Sequence, residues 1–270
     1  MRITSSGPQV IAISGASGGL GQALVKAYAS PGRHFLLCGR DEGRLAMVKE
    51  IACDAGATVT VLTTDLAEPD RYAADLSAFD AQTPIDLFIA NAGVKAGNRD
   101  GVEEPRQLHC VVTTNLTSSM LAVQAIVPRM RQRGQGHVAF ISSLAARSPH
   151  ADLLSYSATK SAIEAYATGL RRSLFGSGVC VSVVLPGFIN TPMTDRHNGP
   201  TPFKVTAADA ARRIKAGLDA KQRVIAFPRR LAWLIALRRA FLPVSVSDYI
   251  ERWLRAEILS DEDQRDVKKR

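Results

Sequence analysis

Cysteine is scarce: Cys38, Cys53, Cys110 and Cys180 are spread over 270 residues with no Cys-x-x-Cys pair. That spacing offers neither a disulfide framework nor a zinc site, and it fits a reduced, cytoplasmic setting. No metal is expected. Long apolar runs are also missing. None approaches the roughly 20 residues that cross a bilayer, and the densest C-terminal stretch, 231–237, is far shorter. Residues 1–8 carry one Arg and no apolar core, so no cleaved signal peptide is expected. A Pro/Gly-rich linker and internal repeats are absent as well, which argues for one main domain.

Acidic residues are outnumbered, 25 to 34, for a net charge of +9. The excess is concentrated: residues 201–270 hold sixteen Lys or Arg against nine Asp or Glu, seven of the nine net charges. Such a tail suits nucleic acid, an anionic membrane surface, an acidic partner or a merely solvated face. No reader motif for nucleic acid accompanies it, so a nucleic-acid partner is not expected.

With 46 % hydrophobic and 22 % charged residues, the chain has the balance of a globular protein with a substantial core. Short apolar runs at 9–13, 34–38, 58–62, 85–90, 137–141, 179–185 and 223–227 read as strands. Between them, 21–29, 44–55, 71–79, 107–133, 156–175 and 207–220 have helical spacing. Alternation of this kind predicts an α/β fold with a doubly wound, Rossmann-like parallel sheet. Continuous rather than alternating apolar runs fit strands buried on both faces. We place the main domain at 1–228 and a basic, apolar helical C-terminal extension at 229–270.

The first strand opens into Ser14-Gly-Ala-Ser-Gly-Gly-Leu-Gly21, followed by a helix. Gly15, Gly19 and Gly21 lack the Cβ atoms that would keep a pyrophosphate away from the helix N-terminus, and Ser17 and Leu20 lie in the same turn. Three glycines can also make a plain turn; the position between strand and helix is what points to a dinucleotide. After the second strand, Gly39 supplies no carboxylate for a ribose, whereas Arg40 could pair with a 2′-phosphate. That favours NADP over NAD, unless Arg40 is an ordinary surface residue. Asp65 and Leu66, after the third strand, are placed to meet an adenine, or Asp65 is a helix cap.

Tyr156 and Lys160 are four residues apart, one turn along one helix face. An ammonium beside a phenol favours phenolate, which would lower the tyrosine pKa from about 10 and make it a general acid/base. Ser143 ends the fifth strand, where a hydroxyl could bind a carbonyl oxygen.

Together these motifs make the chain resemble the short-chain dehydrogenase/reductase family, in its single-domain branch of about 250 residues. The resemblance rests on the Ser14–Gly21 loop, Asn91-Ala92-Gly93, Asn115, Ser143, Tyr156, Lys160 and Pro186-Gly187 through Thr191. It implies NAD(P)-dependent interconversion of a ketone and a secondary alcohol. Tyr156 would transfer the proton, Ser143 bind the carbonyl, and Lys160 hold the nicotinamide ribose and tune the tyrosine. Asn115 would hold a water in a proton relay, and Pro186, Gly187, Ile189 and Thr191 would seat the nicotinamide. A homo-oligomer is implied too. Gly18 stands where NADP-preferring relatives often carry Lys or Arg, so the NADP preference rests on Arg40 alone. A protein that kept the fold as a non-catalytic nucleotide sensor or scaffold is the alternative.

Phe188, Ile189 and Met193 open a loop rich in Pro and Gly that suggests a mobile lid, unless these residues are core. No arginine pair or acid cluster in the sequence declares an anionic or sugar substrate, so an apolar ketone is expected. The segment 229–242 is imperfectly amphipathic: Leu231, Leu234, Ile235, Phe241, Leu242 and Arg238 share one face, with Trp233 opposite. It suits an anionic membrane surface at the inner face of a membrane, a subunit partner or a cover for the active site. A further short helix is expected at 249–259, and a frayed end at 260–270.

Overall fold

The computed structural model describes residues 7–97, 102–251 and 257–258. The chain runs β1 (Val10–Ser14), α1 (Gly19–Tyr28), β2 (His34–Gly39), α2 (Glu42–Asp54), β3 (Thr58–Thr63), α3 (Pro69–Gln82) and β4 (Leu87–Ala90). Then come α4 (Pro105–Val112), a π-turn (Thr113–Thr117), α5 (Ser118–Gln132), β5 (Gly136–Ile141), a 3-10 turn (Leu144–Ala146), α6 (Leu154–Ser173) and β6 (Val179–Pro186). The remainder is β7 (Ile189–Asn190), α7 (Pro192–Asp195), β8 (His197–Asn198), β9 (Val205–Thr206), α8 (Ala207–Asp219), β10 (Val224–Phe227), α9 (Arg229–Phe241), α10 (Val244–Glu251) and β11 (Glu257–Ile258).

Seven strands form one parallel sheet in the order β10-β6-β5-β4-β1-β2-β3. The doubly wound expectation is met. Ile11 and Ile13 of β1 pack with Leu24, Leu45 and Ile214 on one face, while Ala12 meets Tyr72, Phe88 and Ile126 on the other. Because side chains alternate across a strand, covering both faces demands the uninterrupted apolar runs seen in the sequence. Each fully buried Ile or Leu of this kind contributes about 1.5–3 kcal/mol. At the edge, β3 is only partly buried and interleaves Thr58, Thr60 and Thr63 with Val59, Val61 and Leu62. Between β1 and β4 the winding reverses, and the loops after these two strands diverge into a crevice at the carboxyl ends of the sheet, where ligands bind in such folds.

The helix expected at 107–133 is present as one helical run, Pro105–Gln132, and carries Asn115 on a π-turn within it. The whole run Pro105–Gln132 is long and apolar enough by composition to cross a bilayer, but Ala122, Val123, Ile126 and Met130 are buried in the core. One expectation needs correction: the short helix placed at 249–259 begins earlier and, among the described residues, spans Val244–Glu251, with the Pro243 carbonyl accepting from the amides of Val246 and Ser247, while Glu257–Ile258 is a strand antiparallel to β8. The expected frayed end at 260–270 lies outside the described residues.

Candidate active site

One cleft of about 950 Å³ lies at the carboxyl ends of the strands and gathers almost every candidate residue. Its first wall is the loop between β1 and α1. Gly15 has a φ of +62°, and a Cβ there would sit 2.8 Å from the Ala92 Cα. A Cβ on Gly21 would strike the Gly15 carbonyl, and one on Gly19 would lie 2.9 Å from the Thr191 Cγ2. Gly18 caps α1 without a side-chain hydrogen bond, so the first amides of the helix are left open beside Gly19 and Leu20, both of which line the cleft. The buried Ser14 hydroxyl accepts from the amides of Asn91 and Ala92, each at 3.0 Å. In return Asn91 Nδ2 donates to the carbonyls of Ser14 (3.0 Å) and Gly15 (3.1 Å). Asn91 therefore fixes the glycine loop, a clamp that the sequence, which marked it as a cofactor contact, did not reveal. These glycines and open amides fit a dinucleotide pyrophosphate.

At the far end of this wall stand Ser17, Gly39, Arg40, Asp65 and Leu66, joined by Arg44. The sequence reading missed Arg44. Asp41 caps α2 by accepting from the Arg44 amide, and the Arg44 guanidinium reaches back to the Ser17 carbonyl at 2.6 Å. Arg44 thus adds a second cation to the cleft wall that Arg40 lines. Asp65 caps no helix, since α3 begins four residues later; its Oδ1 accepts from the Ala67 amide at 2.9 Å in a local turn. Leu66 is buried except for the surface it gives the cleft.

The reacting end combines three elements. Ser143 follows β5 and accepts from the Ala145 amide at 3.1 Å. Tyr156 and Lys160 project from α6. The N-terminus of α6 is held by Glu103, whose carboxylate accepts from the Ser155 amide (3.1 Å) and hydroxyl (2.9 Å). Lys160 is buried, its Nζ 2.9 Å from the Ile141 carbonyl and 5.7 Å from the Tyr156 ring centroid. Burial pushes its pKa down to about 8. The expected lowering of the Tyr156 pKa is not found. Burial pushes that phenol up, and the facing Ser143 hydroxyl only partly opposes it. The phenol consequently holds its proton at neutral pH.

Asn115 is fully buried, and its amide is spent on protein groups. Oδ1 accepts from the Val94 amide at 2.7 Å, while Nδ2 donates to the Val94 carbonyl at 2.9 Å and to Thr159 Oγ1 at 3.3 Å. Its side chain thus positions the loop after β4. A Cβ on Gly93 would lie 3.3 Å from both Asn115 Oδ1 and Lys160 Nζ, so glycine lets these groups meet. Pro186, Gly187, Ile189 and Thr191 all line the cleft. Thr191 caps α7 through its carbonyl, and the side chain of Ile189 is mostly core.

The opposite end of the cleft is lined by Leu153, Phe188, Met193, Leu231, Leu234 and Ile235, as an apolar substrate would need. Phe188 and Met193 are cleft residues rather than core. Helix α9 lies across the mouth, tied down where Arg238 Nη2 donates to Ser148 Oγ at 2.6 Å. Its outer side leaves Trp233 and Phe241 63 % and 78 % exposed. The sequence shows no arginine pair or acid cluster to declare an anionic substrate, but the fold brings Lys95, Arg196 and Arg238, scattered over 144 positions of sequence, to the lining of this cleft, with His150 beside them.

A glycine-walled dinucleotide crevice at the switch point of a parallel sheet, with Ser, Tyr and Lys at its reacting end, defines a nucleotide-dependent oxidoreductase class of site. The short chain dehydrogenase family profile matches residues 9–200. A Myxococcus xanthus protein described as an uncharacterized oxidoreductase is 31 % identical over 245 residues, covering 90 % of this chain and 96 % of its own. A short-chain dehydrogenase from Sphingobium yanoikuyae, solved with NADPH, superposes with a TM-score of 0.76 at 25 % identity, over 86 % of this chain and 94 % of the other. A metagenomic short-chain oxidoreductase solved with NADP gives 0.69 at 29 % identity, over 81 % and 94 %. The chain belongs to the short-chain dehydrogenase family, a family of oxidoreductases.

Proposed function

We propose that the protein is an NADP-dependent oxidoreductase that interconverts a ketone and a secondary alcohol on a largely apolar skeleton. One observation carries the reading: Ser143, Tyr156 and Lys160 face the same cleft as the glycine loop and the Arg40/Arg44 pair. The dinucleotide, when bound, supplies or accepts the hydride. Gly15, Ser17, Gly19, Leu20 and Gly21 would hold its pyrophosphate, Asp65 and Leu66 its adenine, and Arg40 with Arg44 its 2′-phosphate. Ala92, Gly93, Pro186, Gly187, Ile189 and Thr191 would border its nicotinamide end. The NADPH and NADP in the two structures named above support this preference over NAD.

In the reductive direction the Ser143 hydroxyl donates to the carbonyl oxygen and polarises it. Tyr156 Oη then delivers its proton to the forming alkoxide. The Lys160 ammonium favours the resulting phenolate, and Asn115 keeps the Val94 loop in register with Lys160. The test is NADPH oxidation with ketones of graded hydrophobicity. Turnover that rises with apolar size and is lost in Tyr156→Phe supports the reading. Cofactor binding without turnover across the panel favours a nucleotide sensor or scaffold instead.

For the C-terminal extension we favour a wall of the substrate entrance over a membrane anchor, because Leu231 and Ile235 line the cleft and pack against the core. A cytoplasmic homo-oligomer completes the proposal, supported by four free cysteines and by the family resemblance; sedimentation mass tests the assembly.

A further inference from the structure

The substrate end of the cleft combines apolar walls with positive charge. Lys95 leaves the loop that Asn115 holds at Val94 and reaches into this end. Its ammonium lies 3.0 Å from His197 Nδ1 and 5.8 Å from the Phe188 ring centroid. His197 is buried and pushed down to about 4, so it is neutral, and its Nδ1 accepts from Lys95 while the ring also faces the Pro200 carbonyl. An ammonium has three hydrogens, and one neutral imidazole uses one of them. No carboxylate pairs with Lys95 among the described residues, and burial lowers its pKa to about 8, which still leaves it charged at neutral pH. Arg196, Arg238 and His150 line the same end. Among the described residues lining the cleft, the only carboxylate is Asp65, at the adenosine end.

A half-buried cation without a counter-charge is disfavoured unless something else supplies one. We propose that Lys95 is a specificity-determining residue that binds a carboxylate on the substrate, so that the preferred ketone is an oxo acid with an apolar skeleton. The inference rests on the ketone/alcohol reading for its substrate but not for its anion site. The chemistry of the walls fits: Leu153, Phe188 and Leu231 cover the hydrocarbon, while Lys95 takes one carboxylate oxygen in a charge-assisted hydrogen bond. The competing role is purely structural, with Lys95 anchoring the 197–200 segment through His197. An anchor would affect charged and neutral substrates alike.

Two measurements decide. In the first, kcat/KM with NADPH is compared for oxo acids of roughly five to ten carbons and for their methyl esters. Wild type is expected to prefer the acids by about tenfold or more, and Lys95→Met to erase that preference through KM while leaving the esters within about threefold. Lys95→Arg, which keeps the charge, should retain part of it. Esters used as well as acids by the wild type, or equal losses for both in Lys95→Met, overturn the proposal. In the second, octanoate and octanamide are titrated calorimetrically into the protein with NADP⁺ present. Octanoate binding that is about tenfold tighter than octanamide and lost in Lys95→Met supports the anion site even if no ketone turns over, an outcome that would sink the oxidoreductase reading alone. Equal binding of the two, or no octanoate binding, sinks the anion site.

Discussion

Replacing Arg40 and Arg44 tests the cofactor assignment most directly. Arg40 is exposed at the end of β2, and Arg44 stands one turn into α2 with its guanidinium fastened to the Ser17 carbonyl at 2.6 Å. A charge-assisted hydrogen bond to phosphate contributes about 1.5–3 kcal/mol when shielded, and solvent screening at this open corner reduces that to about 1–1.5 kcal/mol per arginine. Each 1.4 kcal/mol is a factor of ten. Arg40→Gln or Arg44→Gln alone should thus lower kcat/KM for NADPH by about 5- to 12-fold. The double variant should lower it by about 30- to 150-fold, at the smaller end if both cations share one phosphate. NADH lacks the 2′-phosphate and should change by less than about threefold, through the loss of the Arg44 tie to the glycine loop. Initial rates with both cofactors at constant ionic strength give the ratio. A wild type that already prefers NADH, or a double variant whose NADPH-to-NADH ratio moves by less than about threefold, refutes the assignment. Arg40→Asp, which adds an acceptor for a ribose hydroxyl, should raise NADH use further.

Tyr156→Phe should reduce kcat by about 10²–10⁴-fold with NADPH affinity nearly unchanged by fluorescence titration; retention of more than about a tenth of the wild-type rate contradicts the proton-transfer role. Ser14→Ala strands the Ala92 amide, while the Asn91 amide keeps the Ile89 carbonyl, and should destabilise the fold by about 1–3 kcal/mol in urea unfolding, whereas Ser14→Thr, which keeps the hydroxyl, should cost under about 1 kcal/mol. Lys95 is pushed from its ordinary 10.5 to about 8, so between those values the folded chain binds fewer protons than the unfolded one and stability rises with pH. Lys95→Met should accordingly be more stable than wild type below pH 8, with the difference closing as the pH rises toward 10.5; a constant difference in Tm across that range argues against a buried, desolvated ammonium. Truncation at Pro228 should raise KM for apolar ketones, and the intact and truncated proteins should both stay in the supernatant with anionic vesicles. Salt-sensitive co-sedimentation that the truncation abolishes would favour the membrane instead.

Local pattern alone determined much of this protein. The buried parallel strands were legible because covering both faces of a sheet leaves no room for polar residues at alternate positions, and their observed ends differ from expectation by a residue or two. The glycine loop, Ser143, Tyr156 and Lys160 were legible for a similar reason: each acts where a single local geometry is required, a left-handed Gly15, a strand end, or one turn of helix. The hidden features depend on contacts far apart in sequence. The π-turn inside the 107–133 pattern has no sequence signature, and it carries Asn115, whose partner Val94 lies 21 residues away. The Tyr156 pKa moves opposite to expectation because burial, a property of the whole fold, outweighs the hydrogen bond from Ser143. Arg44 looked like any helix surface residue until the Asp41 cap aimed it at Ser17. Lys95, Arg196 and Arg238 carry no motif at all. They meet only because the loops after β4 and β6 and helix α9 all end at the carboxyl side of the sheet, and only the tertiary structure turns their separate charges into one cationic end of a cleft.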